Sequence, residues 1–212
     1  IILGIIPIGS GNGLASNLNI PKNIDRALQI IKAQAVKKID VGRLNNNYFF
    51  SNTGIGFDAL VIKNYEASNE RTLFSYVKAT LKSLKKTNKL IEVETILNGQ
   101  IIEHQPFLIF ISNSNELGYK VSLTPKASLE DGMLDILIVP KLNVFKIILF
   151  MLLMVIKRHH VLKEVSTYQT KNIKITQKNR PLFQIQIDGE FILIKNKTIE
   201  IKILEKALNV IS

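Results

Sequence analysis

Residues Leu182–Ile194 read LFQIQIDGEFILI, two short apolar runs divided by Asp188-Gly189. In the first run Gln184 and Gln186 alternate with Ile185 and Ile187, the two-residue period of a strand with unlike faces. Asp-Gly between alternating runs is the signature of a two-residue hairpin turn, because both positions favour positive φ. The stretch therefore predicts a β-hairpin, with Glu190 as the single charge at the start of its second strand. The same grammar recurs along the chain. IEVETIL and QIIE flank Asn98-Gly99, and VKKIDVG and NYFFSNTG flank the turn residues 45–47. PFLIFISN, LDILIV, NIKIT and TIEIKIL follow as further strand-like runs. The chain is predicted to be mainly antiparallel β.

Three segments have helical spacing. Asn23 precedes Ile24, Ala27, Leu28 and Ile31, and caps a helix there. In Leu73–Lys86, Phe74, Val77, Leu81 and Leu84 form an apolar stripe opposite Lys78, Lys82, Lys85, Lys86 and Lys89, which predicts a surface helix with a solvated lysine face, a phosphate- or lipid-headgroup-facing role being the alternative. The run Val144–Ile156 is apolar nearly all round, broken by Lys146, and ends in Lys157-Arg158-His159-His160. It is shorter than the roughly 20 residues that cross a bilayer. Two readings stay open: a buried helix, or one lying in the membrane interface with its basic end on anionic headgroups.

Composition narrows the chemistry. The 212 residues are 46% hydrophobic, enough for a core, and contain no cysteine and three histidines, which excludes disulfides and makes a zinc site improbable. The net charge of +11 points to phosphates, nucleic acid or an anionic membrane. Nucleic acid is disfavoured, since no recognised binding motif accompanies the 7% aromatic content. The absence of cysteine suggests a reducing, cytoplasmic setting. Residues 1–6 read as a core strand cut from a longer protein.

At the start, GIIPIGSGNGLA places Gly9, Ser10, Gly11, Asn12 and Gly13 between an apolar run and a helix start. Such a loop offers backbone N–H groups to a phosphate, and it also serves as a tight turn. It lacks the Lys-Ser/Thr of a P-loop, and Leu14 stands where a dinucleotide fingerprint needs its third glycine. Carboxylates stand on turn-like segments: Asp40, Asp58, Asp131, Asp135, Asp188 and Glu190. Taken singly, each reads as a turn residue.

Taken in order, IIPIGSGNGLA, KKIDVGRLNNNYFFSNTGIGFDA, LTPKASLEDGMLDILIV and QIDGE resemble the diacylglycerol kinase catalytic family, the bacterial lipid kinases related to sphingosine and ceramide kinases. The resemblance covers essentially the whole chain. It implies an α+β fold: a mainly antiparallel β-sandwich on the lipid side, residues 39–204, with a remnant of an α/β nucleotide-binding domain. That remnant is residues 1–38, with 205–212 returning to it. The implied activity is transfer of the ATP γ-phosphate to a lipid hydroxyl, with ATP and Mg²⁺ as cofactors.

By the same resemblance, Gly9, Ser10, Gly11 and Asn12 lie at the ATP phosphates. Asp131 is a magnesium carboxylate with backbone carbonyls of Ser128 and Met133. Glu190 is the proton acceptor for the lipid hydroxyl, Asp58 an acidic residue in the cleft, and Asp40 lies at the hinge into the sandwich. The implied partner is a diacylglycerol-like lipid at the inner face of the membrane, with peripheral contact there; a homodimer is compatible with it. The family's Gly-Gly-Asp-Gly-Thr motif is not in the chain, and Gly13 stands where many bacterial members have Asp. The chain alone is expected to be inactive. A non-catalytic lipid- or headgroup-binding module and a nicotinamide-nucleotide kinase relative remain as alternatives.

Overall fold

The alternating runs pair into two facing sheets in a computed structural model that describes residues 1–9, 11–68, 72–86, 91–116 and 121–212. The first sheet runs β3 (Asn47–Phe49), β2 (Val36–Leu44), β13 (Thr198–Ile211), β10 (Asn172–Gln177), β5 (Val93–Leu97), β6 (Gln100–His104). The second runs β12 (Glu190–Ile194), β11 (Phe183–Ile187), β4 (Asn52–Gly56), β7 (Pro106–Ser112), β8 (Leu134–Pro140), β9 (Ser166–Thr170). Every pairing is antiparallel except that of β1 (Ile2–Leu3), which joins β13 in parallel. Ile109, Ile111, Ile136, Ile138 and Ile185 of one sheet meet Ile173, Ile175, Ile199 and Ile201 of the other in a buried core. β-Branched side chains suit this role, since they pack well on pleated surfaces. The fold is α+β, as expected.

Both hairpin turns form with the required backbone: φ is +50° and +78° at Asn98 and Gly99, and +47° and +86° at Asp188 and Gly189. The cap at Asn23 also forms, its Oδ1 accepting the Arg26 N–H at 2.9 Å to open α2 (Ile24–Ala33). Two expectations need correction. Residues 1–6, read as a core strand, pair only over Ile2–Leu3, and both of those side chains are exposed. NYFFSNTG, read as one strand, is divided at Phe50–Ser51 into β3 of the first sheet and β4 of the second. The chain changes sheets there because the Asp188 carboxylate accepts the N–H groups of Phe50, Ser51 and Asn52 at 2.7, 2.8 and 2.9 Å. No local signal encodes a bond across more than 130 residues.

The outer face of the second sheet, the side of Leu108, Phe110, Leu137 and Val139, is covered by three helices. They are α3 (Phe57–Glu66), α4 (Leu73–Lys86) and α5 (Val144–Val155). Phe57, Leu84, Ile147 and Met154 pack from these helices onto one cluster. The helix α3 was not expected from the sequence. It begins at Gly56, whose φ of +87° ends β4 and turns the chain. The stripe on α4 is inverted relative to expectation: Ser75, Ala79 and Ser83 are buried, while Phe74, Val77 and Leu81 face outward. Small residues let α4 approach α3 closely, and Asn64 Nδ2 donates to Ser83 Oγ at 2.8 Å. At the other end, α1 (Gly13–Asn17) and α2 cover Ile39, Leu129 and Val210 in a third cluster.

Candidate functional site

The outer face of the second sheet changes character along its strands. Where Phe110 and Leu137 give way two residues on, the cross-strand row becomes Asn52, Ser112, Asp135 and Gln169, each in register with the next. Gln186 of β11, in register with Gly54, reaches the row diagonally, its Nε2 donating to Asn52 Oδ1 at 2.8 Å. Asn52, Ser112, Asp135 and Gln186 are all buried. Buried polar groups cost stability unless bonded, so a whole polar row marks a place where chemistry outranks packing.

Asp58, the second residue of α3, stands over this row. A Cβ on Gly54 would lie 2.1 Å from Asp58 Oδ2, so only glycine leaves room for the carboxylate. Asp58 is 6% exposed, and its Oδ2 has no hydrogen-bond partner among the described residues. Burial pushes its pKa up to about 6, against a hydrogen bond from Gln186 that pulls it down. Tyr76 of α4 lies close enough that burial first, then the charges of Asp58 and Tyr65, push its phenol pKa up.

Gln186 ties this carboxylate to the hairpin. Its Oε1 accepts the Gly189 N–H at 2.9 Å, so one amide bridges Asn52, the Asp58 neighbourhood and the turn that precedes Glu190. Glu190 itself is exposed and opens β12, the edge strand, opposite Ile187. No hydrogen bond joins Glu190 to Asp58 among the described residues. Asp188 holds the sheet crossing by its three N–H bonds. Burial pushes its pKa up, the three amides pull it down, and the Glu190 charge adds to the rise. Asp188→Asn removes the charge from those bonds and turns one acceptor into a donor. It is expected to cost about 2 kcal/mol in urea unfolding.

Asp131 stands on a neighbouring turn. Its Oδ1 accepts the Met133 N–H at 3.0 Å, and its side chain is exposed. The turn is held by Asp40, fully buried on β2, whose carboxylate accepts N–H groups of Gly132 and Lys206 at 2.7 Å each. Asn113 Nδ2 donates to the Asp40 carbonyl at 2.8 Å and to that of Phe50 at 3.0 Å. Asp40 is thus a positioning residue that joins β2, the Asp131 turn and β13. Among the described residues no three His, Asp or Glu side chains gather for a metal. One exposed carboxylate with the carbonyls of Ser128 and Met133 on the same turn nevertheless suits a hard, largely hydrated cation such as Mg²⁺.

In the glycine loop, Ser10 lies outside the described residues. Asn12 closes the loop on itself: Oδ1 accepts the Gly9 N–H at 2.9 Å and Nδ2 donates to the Gly9 carbonyl at 2.5 Å. Positive φ falls on Asn12 (+53°). Asn17 Nδ2 donates to Asn115 Oδ1 at 2.6 Å, which sets α1 beside the segment following the polar row. Glycine loop, Asp131 turn, Asp58 and the Glu190 hairpin are therefore linked through Asn113–Asn115, Asp40 and Gln186. The sequence reading missed Gln186, Asn52 and Asn113. The one signal was at Gln186, an amide that alternates with isoleucine along β11, whereas Asn52 and Asn113 stand between serine and threonine residues and carry none.

Residues 51–212 match the family model for the YegS C-terminal NAD kinase beta sandwich-like domain, and residues 1–44 match that for the diacylglycerol kinase catalytic domain. A Bacillus subtilis (strain 168) diacylglycerol kinase is 28% identical over 194 residues, 89% of this chain and 62% of the relative. A Staphylococcus aureus (strain Newman) diacylglycerol kinase is 27% identical over 192 residues, with 89% and 60% covered. A structure from Bacillus anthracis str. Sterne, provisionally assigned as a diacylglycerol kinase, superposes with a TM-score of 0.77 at 26% identity, over 98% of this chain and 68% of that one. The chain spans about 62% of the length of the curated relatives it matches.

Proposed function

This chain belongs to the diacylglycerol kinase family through its YegS-type β-sandwich domain, and from that premise we propose that the intact protein transfers the γ-phosphate of ATP to the hydroxyl of a diacylglycerol-like lipid. The observation that carries the reading is Asp58, a buried carboxylate with an unpartnered oxygen, joined by Gln186 to the turn that presents Glu190.

In this reading Glu190 takes the proton as the lipid O–H bond breaks. The lipid oxygen bonds to the γ-phosphorus, and the bond from that phosphorus to the β–γ bridging oxygen breaks, releasing ADP. Asp58 is the electrostatic partner, joined through Gln186 to the turn that presents the base. The glycine loop (Gly9, Ser10, Gly11, Asn12) lies on the phosphate side. Asp131 with the carbonyls of Ser128 and Met133 would hold Mg²⁺. Bound there, Mg²⁺ would supply positive charge that steadies the turn.

The test is ADP release by the intact protein with ATP and diacylglycerol in mixed micelles, with phosphatidic acid identified as product. Release without lipid dependence, or with NAD as the acceptor, overturns the reading. The cation arm is read separately by thermal unfolding. Mg²⁺ at about ten times its Kd should raise the midpoint by about 3–6 °C in the wild type and leave Asp131→Asn unmoved. Equal shifts in both would make Asp131 a turn residue only.

A further inference from the structure

We propose that α4 and α5 together form a docking face for an anionic lipid bilayer, with α5 lying in the plane of the interface. The proposal rests on the lipid-kinase reading for its purpose, and on the following geometry for its place.

Both helices pack on the same outer face of the second sheet, through Leu84 from α4 and Ile147, Phe150 and Met154 from α5. Only Phe150 of the α5 residues is buried. The opposite side of α5 exposes Val144, Phe145, Ile148, Leu152, Val155 and Ile156, with Phe145 78%, Val155 77% and Leu152 63% accessible. Those positions lie on one helical face, so they form a continuous apolar surface rather than scattered residues. On α4 the inverted stripe adds Phe74, 76% exposed, with Val77 and Leu81. Both helices thus leave large apolar side chains in water while α4 buries serines. That arrangement is costly unless a partner covers the face.

The charges say which partner. Residues 72–86 contain four lysines and no acid. Residues 141–164 contain Lys141, Lys146, Lys157, Arg158 and Lys163 against one acid, Glu164, which is ion-paired with Lys146. Lys78, Lys82, Lys157, Arg158 and Lys163 are exposed around the apolar side chains. An apolar face rimmed by cations complements acyl chains beneath anionic headgroups. A second copy of the chain would bring the same cations against it, and like charges oppose that pairing. The 12 residues of α5 are about 18 Å long, well under a hydrocarbon core of about 30 Å, so the helix lies on the bilayer and does not cross it. No helix among the described residues is long and apolar enough to cross a membrane. The face shares a sheet with the polar row, and α4 carries Tyr76 beside Asp58. Docking through α4 and α5 therefore brings the lipid surface to the side of the sheet that holds Asp58.

The experiment is co-sedimentation of the full chain with vesicles of phosphatidylcholine alone or with 30% phosphatidylglycerol, without nucleotide. The chain has no tryptophan, so Leu152→Trp supplies a clean insertion reporter, with Ile101→Trp on β6 as the control. Binding is expected to phosphatidylglycerol vesicles, with a blue shift at position 152 and none at 101. Phe145→Glu with Leu152→Glu should weaken binding at least tenfold while keeping the unfolding midpoint, whereas Ile101→Glu leaves binding unchanged. No binding to anionic vesicles overturns the proposal. So does binding that survives the double substitution, which is adsorption by charge alone, or light scattering that shows a dimer broken by it. Vesicle binding is read without turnover, so its failure leaves the kinase reading standing, and absence of kinase activity leaves this one standing.

Discussion

Replacing Glu190 by Gln in the intact protein is expected to lower kcat by about 10²–10⁴-fold, the range over which a positioned general base contributes. Gln keeps the length and hydrogen-bonding shape of Glu and removes the proton acceptor. The KM for ATP should hardly move, because the glycine loop and α1 lie at the other end of the Asn113–Asn115 segment. The unfolding midpoint should also hold, since Glu190 is exposed on an edge strand and its side chain makes no hydrogen bond among the described residues. The turn is kept by Asp188 and by the Gly189 N–H on Gln186. Steady-state kinetics with matched urea unfolding decides the matter. A kcat within about twofold of wild type is what an ordinary surface position gives, and it would remove Glu190 as the base.

Asp58→Asn is expected to act in opposite directions on stability and turnover. Asp58 has a folded pKa of about 6 against an ordinary value of 3.8. Below about pH 4 the carboxyl is neutral in both states and its burial costs little. As pH rises through the window from 4 to 6 the unfolded chain ionises first, so stability is lost until the folded group ionises too. A shift of this size amounts to about 3 kcal/mol at neutral pH. The Asn variant, uncharged throughout, should therefore be up to about 3 kcal/mol more stable at pH 8, equal to wild type near pH 4, and less active at both. Urea unfolding at the two pH values measures it. A variant less stable at pH 8 would mean that the carboxylate is a held structural group. Gln186→Leu, which removes the bond that holds the pKa down, should move any turnover limb near pH 6 to higher pH.

Much of the β framework was legible because hairpins are local. Asn98-Gly99 and Asp188-Gly189 select positive φ within two residues, and alternation fixes which side chains face the core within four or five. The same locality explains the misses. NYFFSNTG carries no mark of its division, because the group that divides it is Asp188, 136 to 138 residues away. Asp188 was read correctly as a turn residue, yet its second task was invisible. The helix α3 was hidden because its first residues, GIGFDA, carry a strand ending and a helix start without a side-chain cap.

The site divides in the same way. The order of motifs in the sequence picked out the family and nominated the carboxylates Asp58, Asp131 and Glu190, each within a short pattern that survives reading in one dimension. Tertiary structure alone decided that Asp40 supports the Asp131 turn, that Gln186 bridges to the Glu190 hairpin, and that Asp58 is buried against Gly54. It also decided the orientation of α4. The 3.6-residue period fixes that Phe74, Val77 and Leu81 share a face, but not which face is covered; the close approach of α3 at Ser75, Ala79 and Ser83 turned that face outward. Periodicity is a property of one segment and burial of two, which is why the strands and turns could be read from the chain and the orientation of α4 and the polar row could not.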